Sequence, residues 1–160
     1  MTLYYLEPSA WVKRYCREPG SAWLAQFLAH TPNLACSSMG IIEVTAALAR
    51  KAKAVETDQG AFRANLQQAE DDWTGLLSLD MTSEVVERAR EVARDRALRA
   101  GDAIHLATAL LLRKDFAEPG DQLTLMTSDH ELLTAAAAEG ISVIDPQEAE
   151  RTGAAPPEIA

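Results

Sequence analysis

The feature that narrows the fold most is an alternation: short apolar runs, each followed by a longer stretch whose apolar residues recur at helical spacing. The runs are Leu3-Tyr4-Tyr5-Leu6, Leu34-Ala35-Cys36-Ser37, a brief segment at Leu79, Leu123-Thr124-Leu125-Met126-Thr127 and Ile141-Ser142-Val143-Ile144. Strands separated by helices pair in parallel, because each return to the sheet needs a crossover. The expectation is an α/β fold, a three-layer α/β/α sandwich with a mostly parallel central sheet. A chain of 160 residues without internal repeats fits one domain, placed at residues 1–148; residues 149–160, with Gly153 and Pro156-Pro157, read as a disordered tail.

Local signals fill in the helices. Pro8 suits a first helical turn, and the helix it opens carries Ala10, Trp11, Tyr15 and Cys16 inward, with Lys13, Arg14, Arg17 and Glu18 outward, until Pro19-Gly20 stops it. Ser21 is read as the cap of the next helix. A helix from Ser83 to Arg99 is expected to pair Glu84 with Arg88, Glu87 with Arg90 and Glu91 with Arg94. Pro119-Gly120-Asp121 is a turn into the fourth apolar run. Trp11, Trp23 and Trp73 fall at core spacings and are assigned to packing or a subunit interface.

Charge and length limit the function. A net charge of -9 and a pI near 4.8 argue against broad, sequence-independent nucleic-acid binding, which needs a clustered basic surface. No apolar run approaches the roughly 20 residues of a membrane span, and the first residues lack the pattern of a secretory signal. The expected location is the cytosol, where Cys16 and Cys36 are read as buried thiols rather than a disulfide.

In open parallel sheets ligands sit outside the carboxyl ends of the strands, so the residues just after each strand carry the search. Glu7 follows the first strand, Asp129 the fourth, Glu43 lies in the helix after the second, and Asp102 opens the helix at 101–113. Each has a plain alternative: Glu7 and Asp102 as acids favouring a helix amino end, Asp102 with Arg99 as partner, Asp129 as a helix cap beside the Ser128/Glu131 capping pattern. Glu43 is harder to explain, since Met39, Gly40, Ala46 and Ala47 surround it on the helix and no Lys or Arg stands three or four positions away. A buried, unpaired carboxylate is costly, and a divalent cation between converging acids is one compensation. Oxygen ligands favour Mg²⁺ or Mn²⁺ over zinc.

Four segments, in order, resemble the motifs of the VapC toxins of the PIN-domain family. They are Tyr5-Leu6-Glu7-Pro8-Ser9-Ala10-Trp11 leading to Glu18-Pro19-Gly20-Ser21; Ser37-Ser38 with Glu43; Leu98-Arg99-Ala100-Gly101-Asp102-Ala103-Ile104-His105-Leu106-Ala107; and Thr127-Ser128-Asp129. The likeness spans about residues 3–144. One departure stands out: the family's first acid is ordinarily aspartate, and here it is Glu7, longer by roughly one C–C bond of about 1.5 Å.

The resemblance implies an endoribonuclease toxin in which Glu7, Glu43, Asp102 and Asp129 hold Mg²⁺ or Mn²⁺, directly or through water, for attack of water on an RNA phosphodiester. Ser9 and Thr127 are expected either to hydrogen-bond those carboxylates or to serve as caps and turns. Lys13, Arg14 and Arg17 are candidates for RNA-phosphate contact, with solvated surface charge as the default. His105 reads as a structurally satisfied histidine, with a donor role behind Asp102 as the alternative. The same resemblance implies a homodimer inhibited by an antitoxin that inserts a basic side chain into the acidic pocket. Two other readings stand beside it: a PIN scaffold weakened by Glu7 that still pairs with its antitoxin, and, ranked low, an aspartyl-nucleophile phosphotransferase.

Overall fold

The computed structural model describes residues 1–30, 32–54, 58–115 and 120–157. Its strands are β1 (Thr2–Leu6), β2 (Asn33–Ser37), β3 (Leu77–Leu79), β4 (Gln122–Met126) and β5 (Ser142–Ile144), joined in one sheet of order β3-β2-β1-β4-β5. Every pairing is parallel. The helices are α1 (Pro8–Trp11), continued by a 3₁₀ turn Val12–Arg14, then α2 (Ser21–Leu28), α3 (Met39–Ala54), α4 (Gln59–Gly75), α5 (Ser83–Arg96), α6 (Ala100–Asp115), α7 (His130–Ala138) and α8 (Pro146–Thr152). This is the expected three-layer α/β sandwich.

The layers follow from the two-residue period of the central strand. On β1, Leu3 and Tyr5 face the core shared with Ala89 and Val92 of α5, Leu106 and Leu110 of α6, and Leu132 and Ala136 of α7. Tyr4 and Leu6 face the opposite core with Trp11, Leu24, Phe27, Val44 and Leu48. Tyr4 packs edge-on to Phe27, Trp23 stacks on Phe27, and Trp11 stacks on Trp73, so all three tryptophans pack within or against this core.

Several local expectations need correction. Lys13, read as outward, is buried and paired with Glu18 at 3.3 Å, whereas Cys16, read as buried, is partly exposed. Gly20, at φ 93°, is the cap of α2, while the Ser21 hydroxyl accepts from Glu18 N–H. The helix expected to reach Arg99 stops at Arg96, because Ala97 adopts φ 53° and turns the chain. On α5 only the Glu87–Arg90 pair forms as read. Arg88 instead pairs with Glu91 and Glu139, and Arg94 with Asp95.

The tail expected from residue 149 continues instead as α8 to Thr152. Glu150 accepts from the N–H groups of Gly20, Ala22 and Trp23 at the start of α2, and the Trp23 indole donates to Ala154 O at 2.7 Å. An acid at a helix amino end is favoured by the helix dipole, and here that contact ties α8 to α2. Pro119 in the expected turn and residues 158–160 of the tail lie outside the described residues. Among the described residues no helix is long and apolar enough to cross a membrane.

Candidate active site

The sheet order reverses at β1, with β2 on one side and β4 on the other, and the crevice at such a switch point opens beyond the strand carboxyl ends. Glu7 leaves β1 there, and its N–H still donates to Met126 O at the end of β4. Crossover helices run back from this edge, so their first turns lie beside it. Glu43 near the start of α3 and Asp102 in the first turn of α6 reach the edge in this way, and Asp129 caps α7. The four acids line a single cleft of about 390 Å³ together with Ser9, Arg50, Arg99 and Gly101.

Each carboxylate is engaged differently. Glu7 is 6% exposed and caps α1: Ser9 N–H (3.0 Å), Ser9 Oγ and Thr127 Oγ1 (2.7 Å) all donate to its Oε2. The Ser9 hydroxyl also receives Ser128 N–H at 2.9 Å, so two hydroxyls knit the ends of β1 and β4 around Glu7. Asp129 accepts Leu132 N–H on Oδ1 (3.0 Å) and Arg99 Nη2 on Oδ2 (2.6 Å). Asp102 accepts Arg99 Nε on Oδ2 at 3.0 Å. One guanidinium therefore bridges two acids from different helices. The capping readings of Glu7 and Asp129 and the Arg99 partnership of Asp102 are all realised, inside the cleft.

Glu43 departs from its expected state. Its side chain is 36% exposed rather than buried, and it is not alone: His105 Nε2 lies 2.5 Å from its Oε2. The ring is itself buried, with Nδ1 at 2.8 Å from the Tyr5 hydroxyl, which accepts Ser37 N–H at 3.1 Å. With the phenol donating to Nδ1, a neutral ring carries its proton on Nε2 and presents it to Glu43. The chain Ser37–Tyr5–His105–Glu43 crosses from strand to helix to helix. Gly101 packs closely against this carboxylate: a Cβ there would lie 3.0 Å from Glu43 Oε1, so a larger residue would shift the Glu43 side chain by a few tenths of an ångström.

Sequence reasoning missed Tyr5, which reads as a core aromatic, and the two cations of the cleft wall, Arg50 and the bridging role of Arg99. Asp102 and His105 share a helix face by their three-residue spacing, which was a usable signal; the contact with Glu43, far away in sequence, had none. Lys13, Arg14 and Arg17 line a different pocket. Lys13 is paired with Glu18 and Arg14 with Asp72, while Arg17 is exposed and has no ion pair among the described residues.

Burial raises the Glu7 carboxyl above its ordinary 4.5, against the lowering effects of His105, Ser9 and Thr127. Burial, then the neighbouring Asp129 charge, raises Asp102 above its ordinary 3.8, against Arg99. Both bind a proton more tightly in the folded chain than in the unfolded one. Their contribution to stability is complete below the ordinary values and is lost as pH rises through the raised ones. In chelator, the melting temperature of the protein relative to its Glu7→Gln variant should therefore fall as pH rises above 4.5. A difference that stays flat or grows with pH contradicts this reading of Glu7.

Among the described residues no three acid, histidine or cysteine side chains converge on one ion-sized point. The donor set nevertheless suits a hard cation in kind. Glu7 Oε1, Glu43 Oε1 and Asp102 Oδ1 accept from none of the described donors, and a cationic group already sits between Asp102 and Asp129.

The family profile described as PIN domain matches residues 4–138. Ribonuclease VapC45 of Mycobacterium tuberculosis (strain CDC 1551 / Oshkosh) is 35% identical over 148 residues, covering 92% of this chain and 98% of that protein. Among solved structures, PAE2754 from Pyrobaculum aerophilum superposes with a TM-score of 0.63 at 20% identity, covering 94% of this chain and 88% of that one. A toxin-antitoxin complex from Klebsiella pneumoniae gives 0.60 at 20% identity, over 89% of this chain and 97% of the other.

Proposed function

Because the chain belongs to the PIN-domain family, we propose that it is a divalent-metal-dependent endoribonuclease, the toxin of a toxin–antitoxin pair, hydrolysing RNA phosphodiester bonds in the cytosol. The observation that carries the reading is the cleft itself: four carboxylates from separate parts of the chain face one space, two of them already sharing a cation. The 35% identical relative that is named a ribonuclease supports the reaction class.

In this reading Asp102, Asp129, Glu43 and Glu7 would hold Mg²⁺ or Mn²⁺, directly or through water. When bound, such an ion would supply Lewis-acid stabilisation of a phosphoryl group and a more acidic water. His105 holds Glu43 by its Nε2–H, and Ser9 and Thr127 hold Glu7, so these groups orient carboxylates rather than touch substrate. Arg50, exposed on the cleft wall and without an ion pair among the described residues, is the cation placed to meet an RNA phosphate. With a net charge of -9 the surface as a whole repels RNA, so such local cations matter.

An antitoxin belongs to the same reading, supported by the toxin-antitoxin complex that shares the fold, and an arginine or lysine from it suits the acidic cleft. So does a homodimer, which membership of the family implies. The weakened-enzyme alternative rests on the length of the Glu7 side chain, whose Oε2 is held by Ser9 and Thr127 while Oε1 accepts from none of the described donors.

The test is RNA cleavage by the purified protein in Mg²⁺ and in chelator, with Glu7→Asp beside it. A fully active enzyme cleaves only with the ion and changes by less than about threefold on Glu7→Asp, whereas a weakened one gains about tenfold or more. Cleavage unaffected by chelator ends the metal-dependent reading.

A further inference from the structure

We propose that Arg99 is a displaceable internal counter-ion, which holds Asp102 and Asp129 together in the ion-free protein and gives them up when a divalent cation enters. The inference rests on the reading that this acid pair takes such a cation. Its basis is an asymmetry of burial. The Asp102 and Asp129 side chains are 12% and 22% exposed, whereas Arg99 is 71% exposed. The anions are fixed in the cleft, and the cation reaches them from solvent.

The two contacts use different nitrogens of one planar fork, Nε to Asp102 at 3.0 Å and Nη2 to Asp129 at 2.6 Å, and so staple the first turn of α6 to the cap of α7. A guanidinium matches two carboxylates in geometry but carries a single charge, and an exposed ion pair is weak. A divalent ion doubles the Coulomb attraction at equal distance. On release the arginine returns to water, with no burial of its charge. Ala97, in the left-handed conformation, makes the turn that brings Arg99 to the cleft mouth. Asp129, Asp102 and Glu131 are the charged groups that act on it.

Arg50 separates this role from the general effect of positive charge, because it lines the same cleft without an ion pair among the described residues. Mn²⁺ is titrated calorimetrically into chelator-stripped protein, Arg99→Gln and Arg50→Gln at fixed pH and ionic strength. Arg99→Gln should bind Mn²⁺ about fivefold more tightly than the unsubstituted protein, about 1 kcal/mol, and Arg50→Gln no more than about twofold. In chelator Arg99→Gln should melt lower than the unsubstituted protein, and Mn²⁺ should raise its melting temperature further.

Equal tightening by both substitutions, or weaker binding by Arg99→Gln, overturns the counter-ion role while leaving the ion site standing. Absence of Mn²⁺ binding in all three proteins overturns both.

Discussion

Asp102→Asn is expected to reduce Mg²⁺-dependent RNA cleavage by about 100- to 1,000-fold while leaving the ion-free protein as stable as before or more so. Asparagine keeps the size of the side chain and removes its charge. On the proposed reading that charge holds the ion which offsets the negative charge of the phosphoryl transition state, and losing one such electrostatic contribution costs rates of this order. Stability should move the other way, because the Asp102 carboxyl is raised by burial and by Asp129, so its ionised form is an expense in the folded chain. The Arg99 contact does not reverse this sign, being mostly solvent-exposed. Cleavage and thermal melting in chelator measure the two effects. A parallel loss of both would make Asp102 a structural residue.

His105→Ala is expected to cost about 3 kcal/mol of stability, read by urea unfolding. The ring is 1% exposed and bonded at both nitrogens, so its removal opens a cavity and strips a partner from the Tyr5 hydroxyl. Activity should fall as well, by about 10- to 100-fold, the usual consequence of losing the group that orients a metal-binding carboxylate. Tyr5→Phe distinguishes orientation from packing. It preserves the aromatic volume but leaves Nδ1 and Ser37 N–H without the phenol. If the chain of bonds positions Glu43, Mn²⁺ affinity falls in both variants; if His105 only fills space, it falls in neither beyond what the loss of stability explains.

What could be read from the sequence divides along physical lines. The strands are visible because their apolar runs are short and local, and the mostly parallel sheet that the helices between them imply is parallel throughout. Glu7 and Asp129 were found as residues directly after β1 and β4, a rule that needs no long-range knowledge. Asp102 came from a motif, since nothing local says which edge of the sheet a helix start will occupy. The partners were not legible. Glu43 reads as buried and unpaired from its helical neighbours alone, whereas His105 reaches it from a helix on the other face of the sheet. Lys13 was misplaced for a similar reason: helical periodicity assigns a face, but the 3₁₀ turn at Val12–Arg14 shifts it. Glu150, which reads as part of a loose tail, accepts from N–H groups at the start of α2, 128 residues earlier at Ala22.

On the proposed reading Asp102 and Asp129 share a site for a divalent ion. Crystals grown in chelator and soaked with Mn²⁺ address it through a single anomalous difference map. The predicted result is a peak between the two side chains, about 2.0–2.3 Å from a carboxylate oxygen of each, with Arg99 swung away. No peak in the cleft, or one bound elsewhere while Arg99 still bridges the pair, would contradict the account.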